Sequence, residues 1–176
     1  RPQLAMAYDS VRGKLVLVGG GPVWSTPTDS ATWEWDGTTW TPLSVPGPVP
    51  RRQHGMAFDS SRGRTVLFGG SDGLVSLGDT WEWDGIAWAL QSSSGPAPRT
   101  DHAMAFDSVR GKVFLFAGAT DCPGGTWSWD GVSWTEAETS NPSNRALHTM
   151  VYDAARDRIV IFGGSPRPQR YQDDTW

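Results

Sequence analysis

The chain has 176 residues, of which 38% are hydrophobic, and it carries a formal net charge of −4 at pH 7. No basic stripe is present, so a nucleic-acid partner is not expected, and no run of eighteen apolar residues is present, so no membrane span is expected. The single cysteine, Cys122, excludes an intrachain disulfide but fits the cytoplasm and the extracellular space equally well, so the sequence does not assign a compartment.

The order of residues along the chain is dominated by a fourfold repeat. Equivalent points, spaced 50, 48 and 46 residues apart, are occupied by Met6, Met56, Met104 and Met150. The repeated units cover approximately residues 1–50, 51–98, 99–144 and 145–176, the last being incomplete. A repeat period of this size is typical of propellers, solenoids and repeat arrays, in which neighbouring units stack to build the core.

Each unit is predicted to form four short antiparallel strands, as the second unit illustrates. Turn residues at 60–63 separate two apolar segments, and the second segment (65–68) is β-branched and aromatic, which predicts a hairpin. Further along, Trp81 and Trp83 share one face of a predicted strand. An Asp-Gly pair then predicts a tight turn before a fourth strand that begins at Trp88. No convincing helix pattern is present, so the predicted fold class is all-β.

Three short motifs recur at matching places in the units. They are the glycine pairs Gly19-Gly20, Gly69-Gly70 and Gly163-Gly164, the tryptophans Trp40, Trp88 and Trp134, and the Arg-x-x-His lead-ins Arg51/His54, Arg99/His102 and Arg145/His148. On these residues the whole chain resembles the kelch repeat family. The resemblance implies a β-propeller of four-stranded antiparallel blades, with about three and a half blades in this chain. Two residues depart from the pattern: Ala117 replaces a first glycine, and Leu4 replaces a histidine.

The incomplete fourth unit leaves three interpretations of how such a propeller closes. Kelch-like propellers commonly have six or seven blades, so the resemblance implies either a fragment of a longer propeller or a half-ring completed by a second copy. A four-bladed ring with one defective blade is the third interpretation. The first two are favoured, because an open sheet edge exposes unpaired backbone groups that tend to bind partners.

The only three histidines, His54, His102 and His148, occupy one equivalent position in three units. We expect each of them to bond a neighbouring backbone group, and the alternative is a ring of histidines that lines a central channel. A metal site or an acid–base role needs groups that converge at short range, and motifs for a nucleophile or a phosphate loop are absent. No catalytic residue, metal or cofactor is therefore predicted.

A second repeated set consists of arginines and aspartates. The arginines that precede the innermost strand are Arg51, Arg99 and Arg145, with Arg1 in the first unit. They are predicted either to bridge neighbouring blades or to contact a ligand, because a guanidinium binds carboxylates and phosphates in a fork. Two sets of aspartates are predicted to cap turns: Asp9, Asp59, Asp107 and Asp153 in the first hairpins, and Asp36, Asp84 and Asp130 in the Asp-Gly turns.

The stretch between the second and third strands varies most from unit to unit, and we expect it at the same rim as the lead-in arginines. Variable loops on a rigid scaffold are where recognition residues gather. The candidate ligand-binding residues are therefore Trp24, Arg51, Asp72, Arg99, Asp121, Arg145, Arg167, Arg170 and Tyr171.

These patterns predict a non-catalytic scaffold that binds a protein or carbohydrate ligand at the rim. Two alternatives stay open. In the first alternative, the chain is a fragment or a half-ring whose main role is self-assembly, either as a homodimer or with further blades. The other alternative is a propeller enzyme, a hydrolase, lyase or oxidase, with its site at the central axis, since fold does not fix function.

Overall fold

The computed structural model describes residues 3–21, 30–119, 124–137, 142–166 and 171–176, which form β-strands and turns and contain no helix. The strands are β1 (Ala5–Asp9), β2 (Lys14–Val18), β3 (Thr32–Trp35), β4 (Trp40–Leu43), β5 (Gly55–Asp59), β6 (Arg64–Phe68), β7 (Thr80–Trp83), β8 (Trp88–Ser92), β9 (Ala103–Asp107), β10 (Lys112–Phe116), β11 (Thr126–Trp129), β12 (Trp134–Ala137), β13 (Thr149–Asp153) and β14 (Arg158–Phe162). The all-β class is thereby confirmed for the described residues, which offer no helix suited to cross a membrane.

The strands form four separate antiparallel sheets, one for each unit of the repeat. Sheet 1 (β1–β4), sheet 2 (β5–β8) and sheet 3 (β9–β12) each have four strands, and strands that follow one another in the chain are hydrogen-bonded neighbours. Sheet 4 contains β13 and β14, and Thr175 adds an isolated bridge to Phe162. The prediction of four strands per unit is confirmed for the first three units, and the fourth unit has two strands with the start of a third.

Aspartate side chains fix the turns between these strands. In the first hairpin of sheet 2, Asp59 Oδ1 accepts the backbone N–H groups of Ser61 and Arg62 at 3.0 and 3.1 Å. In the outer turn, Asp84 Oδ1 accepts the N–H groups of Ile86 and Ala87, both at 2.8 Å. The same pattern is repeated by Asp9, Asp107 and Asp153 in the first hairpins and by Asp36 and Asp130 in the outer turns. The predicted capping role of both sets is confirmed.

Because side chains alternate across a strand, each sheet has two chemically different faces. The front face carries methionine, leucine and tryptophan, which in sheet 2 are Met56, Leu67, Trp83 and Trp88. The back face carries alanine with valine or phenylalanine, which are Ala7, Val16 and Val18 in sheet 1 and Ala57, Val66 and Phe68 in sheet 2. The core consists of three clusters, each formed where the back face of one sheet packs against the front face of the next.

Tryptophan N–H groups add directional bonds to this apolar contact. Trp83 Nε1 donates to Glu34 Oε1 at 3.3 Å, and Trp88 Nε1 donates to Thr32 Oγ1 at 2.7 Å, both from sheet 2 to sheet 1. Between sheets 3 and 2 the same two bonds recur at 2.8 Å, from Trp129 to Glu82 and from Trp134 to Thr80. A buried indole N–H usually needs an acceptor, so these bonds fix how the sheets are oriented against each other.

The innermost strand of each sheet packs against that of the next, β1 against β5, β5 against β9 and β9 against β13. A ladder of backbone hydrogen bonds runs along this line: the N–H of Gln53 donates to Gln3 O, that of Asp101 to Gln53 O, and that of Leu147 to Asp101 O, at 3.0–3.1 Å. Among the described residues no such bond joins Gln3 to Leu147. The four sheets therefore form an open series with a front face uncovered at one end and a back face uncovered at the other.

Candidate functional site

The innermost ends of the four sheets surround a cavity of about 270 Å³. Each unit contributes two consecutive residues to its wall, which are Gln3-Leu4, Gln53-His54, Asp101-His102 and Leu147-His148. Each unit therefore lines the cavity with the same two-residue backbone segment, and the side chain of the first residue differs between units. This cavity is the candidate functional site.

The first residue of each pair has a left-handed backbone conformation. The φ angles are +59° at Gln3, +57° at Gln53, +56° at Asp101 and +60° at Leu147. For residues other than glycine this conformation costs about 1–2 kcal/mol each, and such strain persists only where the surroundings hold it in place. Here the inter-sheet backbone ladder passes through the same four residues, so the strain is held by contacts between neighbouring sheets.

The histidines form the inner wall of this cavity, although their rings are more than nine-tenths buried. The His102 ring lies edge-on to Phe68 with ring centroids 5.6 Å apart, and His148 lies similarly against Phe116 at 5.3 Å. A side chain in place of the Gly55 hydrogen would meet His102 Nε2 at 2.7 Å, so glycine leaves the room that this ring occupies. The three histidines line this cavity, and a ring of histidines around a central channel stays a prediction.

Burial makes these imidazoles poor bases. It is the main reason that the pKa of His54 and of His102 is lowered to about 3, and the nearby positive charges of Arg51 and Arg99 contribute further. The pKa of His148 is lowered to about 4 for the same reasons. Backbone carbonyls at Val18 and Phe68 oppose the shift, but no ring nitrogen has a partner at full hydrogen-bond geometry among the described residues. The histidines are therefore neutral at physiological pH.

The polar character of the cavity comes from Gln3, Gln53 and Asp101. Gln53 Nε2 donates to both carboxylate oxygens of Asp101, at 3.1 and 2.9 Å, and Thr100 Oγ1 lies 3.1 Å from one of them. Burial raises the pKa of the Asp101 carboxyl above its usual range. The Oε1 atom of Gln3 is buried and has no partner among the described residues. The cavity thus presents hydrogen-bond acceptors and one carboxylate.

The lead-in arginines lie inside the structure. Arg51 is fully buried, and its guanidinium makes two bonds to Asp79, at 2.7 and 2.8 Å, and one to Gly69 O at 2.9 Å. Arg145 bonds Asp174 and Gly163 O in the same way. Burial alone would raise the pKa of Asp79, but bonds from Arg51 and Trp81 outweigh it and lower that pKa. These partners lie in the arginine's own unit, so the bonds join the lead-in segment to the second and third strands of the same sheet and do not bridge neighbouring sheets. Direct contact of the arginines with a ligand stays a prediction.

Arg99 occupies the same position in the third unit and makes the same kind of carbonyl contacts. Its Nη1 donates to Ala117 O at 2.9 Å and its Nε donates to Ala97 O at 3.0 Å. The place that Asp79 and Asp174 take in the other units, directly before the threonine of the third strand, is occupied by Gly125. The repeated arginine therefore keeps its carbonyl contacts even where the sequence does not supply that aspartate.

The loops between second and third strands lie at the same end of the sheets as the lead-in segments. Arg52 and Ser71 form a backbone bridge, and so do Ala146 and Ser165. A second cavity, of about 470 Å³, lies between the loop at 76–79 and the segment at 93–98. This end of the sheets, comprising the 270 Å³ cavity and these loops, is called the loop end below.

The predicted rim residues have different positions at the loop end. Asp72 caps its own loop by accepting the N–H groups of Leu74 and Val75 at 2.8 and 2.9 Å, bonds that lower its pKa. The Tyr171 side chain is exposed. The remaining candidates, namely Trp24, Asp121, Arg167 and Arg170, and also Arg1 and Cys122, lie outside the described residues.

Sequence reasoning missed the four residues that give the cavity its chemistry, Gln3, Gln53, Asp101 and Leu147. The sequence did contain a signal. Each of the four residues directly precedes the repeated histidine or its substitute Leu4, and its type differs between units although the neighbouring residues are repeated. It also missed Asp79 and Asp174 as partners of the arginines, although both stand in a repeated Asp-Thr-Trp sequence.

The described residues contain no group of histidine, cysteine, aspartate or glutamate side chains arranged to hold a metal ion. Compared with known proteins, the chain matches no family model and no curated protein.

Proposed function

We propose that the chain is a segment of a kelch-type β-propeller that acts as a recognition scaffold, binding a protein or carbohydrate ligand at the loop end. The observation that carries this proposal is that repeated and variable side chains have different positions within each unit. Most repeated residues are used in turns, in contacts between sheets and in arginine pairs within a sheet, whereas the cavity where the four sheets meet is lined in each unit by one side chain that differs, beside the repeated histidine or Leu4. Propellers are built from four-stranded sheets placed radially, and the end-to-end series of four sheets around one cavity supports that arrangement.

The cavity favours a ligand group that donates hydrogen bonds. Asp101 is a carboxylate held by Gln53, and Gln3 Oε1 is a buried acceptor without a described partner. A sugar hydroxyl or a lysine ammonium on a protein loop could donate to the Asp101 carboxylate, whereas Gln3 Oε1 has almost no accessible surface through which a ligand could reach it.

Among the described residues, no group of histidine, cysteine, aspartate and glutamate side chains that could hold a metal supports the enzyme alternative. The three axial histidines are neutral and packed against neighbouring sheets rather than paired with a carboxylate. Their role in the proposed function is to shape the wall of the cavity.

The test is a binding screen of the purified chain against a glycan array and a displayed peptide library, repeated with Asp101→Asn. Asparagine keeps the size and tolerates the left-handed backbone, so this variant removes the carboxylate charge and one of the two oxygens that accept from Gln53 Nε2. We expect affinity for any ligand of the wild-type chain to fall about tenfold, since a charged hydrogen bond contributes about 1.5–3 kcal/mol.

The matched control is Asp130→Asn. It removes the same charge from an exposed outer turn, where the side-chain oxygen of asparagine still accepts the N–H groups of Val132 and Ser133. This variant should bind as the wild type does. Equal binding by the wild type, Asp101→Asn and Asp130→Asn would show that the cavity is not the ligand site.

A further inference from the structure

Most of the buried and half-buried carboxylates among the described residues have a cation beside them, but Asp101 does not. An arginine or lysine nitrogen lies within 2.7 Å of the carboxylates of Asp9, Glu34, Asp59, Asp79, Glu82 and Asp107. Asp101 is half-buried, and its carboxylate accepts only from neutral groups, the amide of Gln53 and the hydroxyl of Thr100. The described part of the chain gives this carboxylate no ion pair.

The surroundings of Asp101 do not replace the missing charge. Burial raises the pKa of its carboxyl, and the bonds from Thr100 and Gln53 only partly oppose that shift. A charged group taken out of water is stabilised most strongly by an opposite charge nearby. The neighbouring His102 cannot provide one, because its own pKa is lowered to about 3 and it stays neutral. The cavity therefore contains a carboxylate that would gain from a cation supplied by a ligand.

The bonds already made by Asp101 limit the kind of cation that fits. Gln53 Nε2 lies 3.1 Å from Oδ1 and 2.9 Å from Oδ2, the position between both oxygens that a guanidinium takes in a forked pair, as Arg51 does with Asp79. A carboxylate offers about four lone-pair positions, and the bonds from Gln53 and Thr100 use three of them. The position that is left suits the single N–H of a compact ammonium better than a planar fork.

The rest of the cavity wall suits an aliphatic stem. Leu147 is 64% exposed and Leu4 is half-buried, and both line the cavity. A lysine side chain lays its methylene groups on apolar surface while its ammonium makes polar contacts. No aromatic side chain of the described residues other than histidine lines the cavity, so a sugar ring has no indole or phenyl face to pack on.

The size of the cavity points the same way. Its volume of about 270 Å³ is below the range of about 300–1,000 Å³ that is usual for pockets that enclose a small-molecule ligand. One side chain from a larger partner therefore fits this space better than an oligosaccharide. The first residue of each lining pair differs between units, and only the third unit supplies a carboxylate there, so the cavity has one place for a cation.

We propose that the cavity receives the ammonium group of a lysine side chain carried by a protein ligand, with the methylene groups against Leu4 and Leu147, and that Gln53 excludes the guanidinium of an arginine. The ammonium donates to the Asp101 carboxylate. This inference rests on the proposed function and narrows its ligand at this site from a protein or carbohydrate to a protein.

The test measures the binding of three small probes to the purified chain by NMR of its backbone N–H groups. The probes are n-butylammonium, which is the lysine side chain without its α-carbon, n-propylguanidinium, which is that of arginine, and n-butanol, which has a hydroxyl in place of the ammonium. We expect n-butylammonium to shift the signals of Gln53, Asp101 and Leu147 saturably. Its dissociation constant should be about tenfold lower than those of the other two probes.

Two variants of charged residues test where the ammonium binds. Asp101→Asn should weaken n-butylammonium binding about tenfold, whereas Asp130→Asn, in an exposed outer turn, should bind the probe as the wild type does. Unchanged signals from the rest of the chain would show that each variant is folded. Equal binding of n-butylammonium by wild type and Asp101→Asn would overturn the proposal, and so would cavity signals that n-butylammonium leaves unshifted.

A third variant tests the selectivity against arginine. Gln53→Asn shortens the side chain by one methylene group, and asparagine tolerates the left-handed backbone, so the position between the two oxygens of Asp101 is vacated. We expect n-propylguanidinium to bind this variant at least as tightly as n-butylammonium does. If the preference for n-butylammonium is the same as in the wild type, Gln53 does not exclude the guanidinium and that part of the proposal is wrong.

The result also separates this inference from the proposed function. A ligand from the glycan and peptide screen whose binding depends on Asp101, together with no effect of n-butylammonium on the cavity signals, would refute the lysine assignment and leave the proposed function standing. Binding of n-butylammonium at Asp101 by a chain that binds nothing in the screen would support the ammonium site and count against the scaffold function alone.

Discussion

At the scale of single residues, the glycine pairs show two different constraints on the backbone. The first position has a φ angle of +64° at Gly69 and +53° at Ala117, a left-handed value that alanine can adopt at a moderate cost. The second position has a φ angle of +93° at Gly70 and +125° at Gly118, and a side chain on Gly70 would lie 2.6 Å from Arg52 O. A side chain at the first position would also come close to a backbone oxygen, which is Arg51 O at Gly19 and, at 2.8 Å, Arg99 O at Gly69. The φ angles, rather than the space, therefore distinguish the position where alanine occurs from the position that stays glycine.

We predict that Gly70→Ala destabilises the chain much more than Gly63→Ala. Gly63 also has a positive φ angle, +64°, but nothing lies within 4 Å of where a side chain would go. Its substitution should cost about 1 kcal/mol from the backbone alone, whereas Gly70→Ala adds a clash with backbone atoms and should cost about 3 kcal/mol. Urea denaturation of the two variants measures both values, and equal losses would show that the clash is relieved without cost.

At the scale of elements, the buried Arg51–Asp79 pair ties the segment leading into sheet 2 to the start of its third strand. The two bonds, at 2.7 and 2.8 Å, are reinforced by Trp81 Nε1, which donates to the same carboxylate at 2.7 Å. A guanidinium taken fully out of water is tolerated only when its hydrogen bonds are satisfied. The pair therefore fixes where the loop between the second and third strands begins and ends.

We predict that Asp79→Asn lowers the free energy of unfolding by about 3 kcal/mol, because it leaves the Arg51 charge buried without its counter-charge. Asp84→Asn is the matched comparison. Asp84 faces Arg64 at 3.6 Å with both side chains well exposed, and asparagine would still accept the turn N–H groups. An exposed pair of this kind contributes less than about 1 kcal/mol. Chemical denaturation of the two variants distinguishes them, and a loss at Asp84 as large as that at Asp79 would contradict the assignment.

The elements and their faces could be predicted from the sequence because they depend on local signals. The alternation of Trp81, Glu82 and Trp83 gives the two faces of β7, and the Asp-Gly pair gives the turn that follows. The cavity could not be predicted in the same way. Gln53 and Leu147 have no local preference for a left-handed backbone, which the inter-sheet ladder imposes on them.

The partners of the buried arginines were beyond sequence reasoning for a related reason. Arg51 and Asp79 are 28 residues apart, and only the path of the variable loop brings them together. Repetition identified the arginine as important without showing whether its guanidinium faces solvent or the interior. The predicted position of Arg51 at an end of the sheets suggested a surface role, but the fold buries its guanidinium under the loop instead.

At the scale of the whole molecule, the three buried histidines couple stability to acidity. In the unfolded chain a histidine binds a proton near its ordinary pKa of 6.5, but in the folded chain the pKa is lowered to about 3 at His54 and His102 and to about 4 at His148. Below about pH 6.5 the unfolded state therefore holds more protons than the folded state, and stability falls as the pH falls. Asp101 acts in the opposite direction, because its pKa is raised on folding.

We predict that the free energy of unfolding declines between about pH 6.5 and pH 5, approaching about 1.4 kcal/mol per pH unit for each histidine. Most carboxylates do not titrate in this interval, since their ordinary pKa values lie near 4. His102→Leu, which copies the natural leucine at position 4, should remove about one third of the slope because one of three equivalent protons is lost. Urea titrations across the interval measure both slopes. An unchanged slope in the variant would mean that His102 becomes protonated without unfolding, so that its ring is not sealed between sheets 2 and 3.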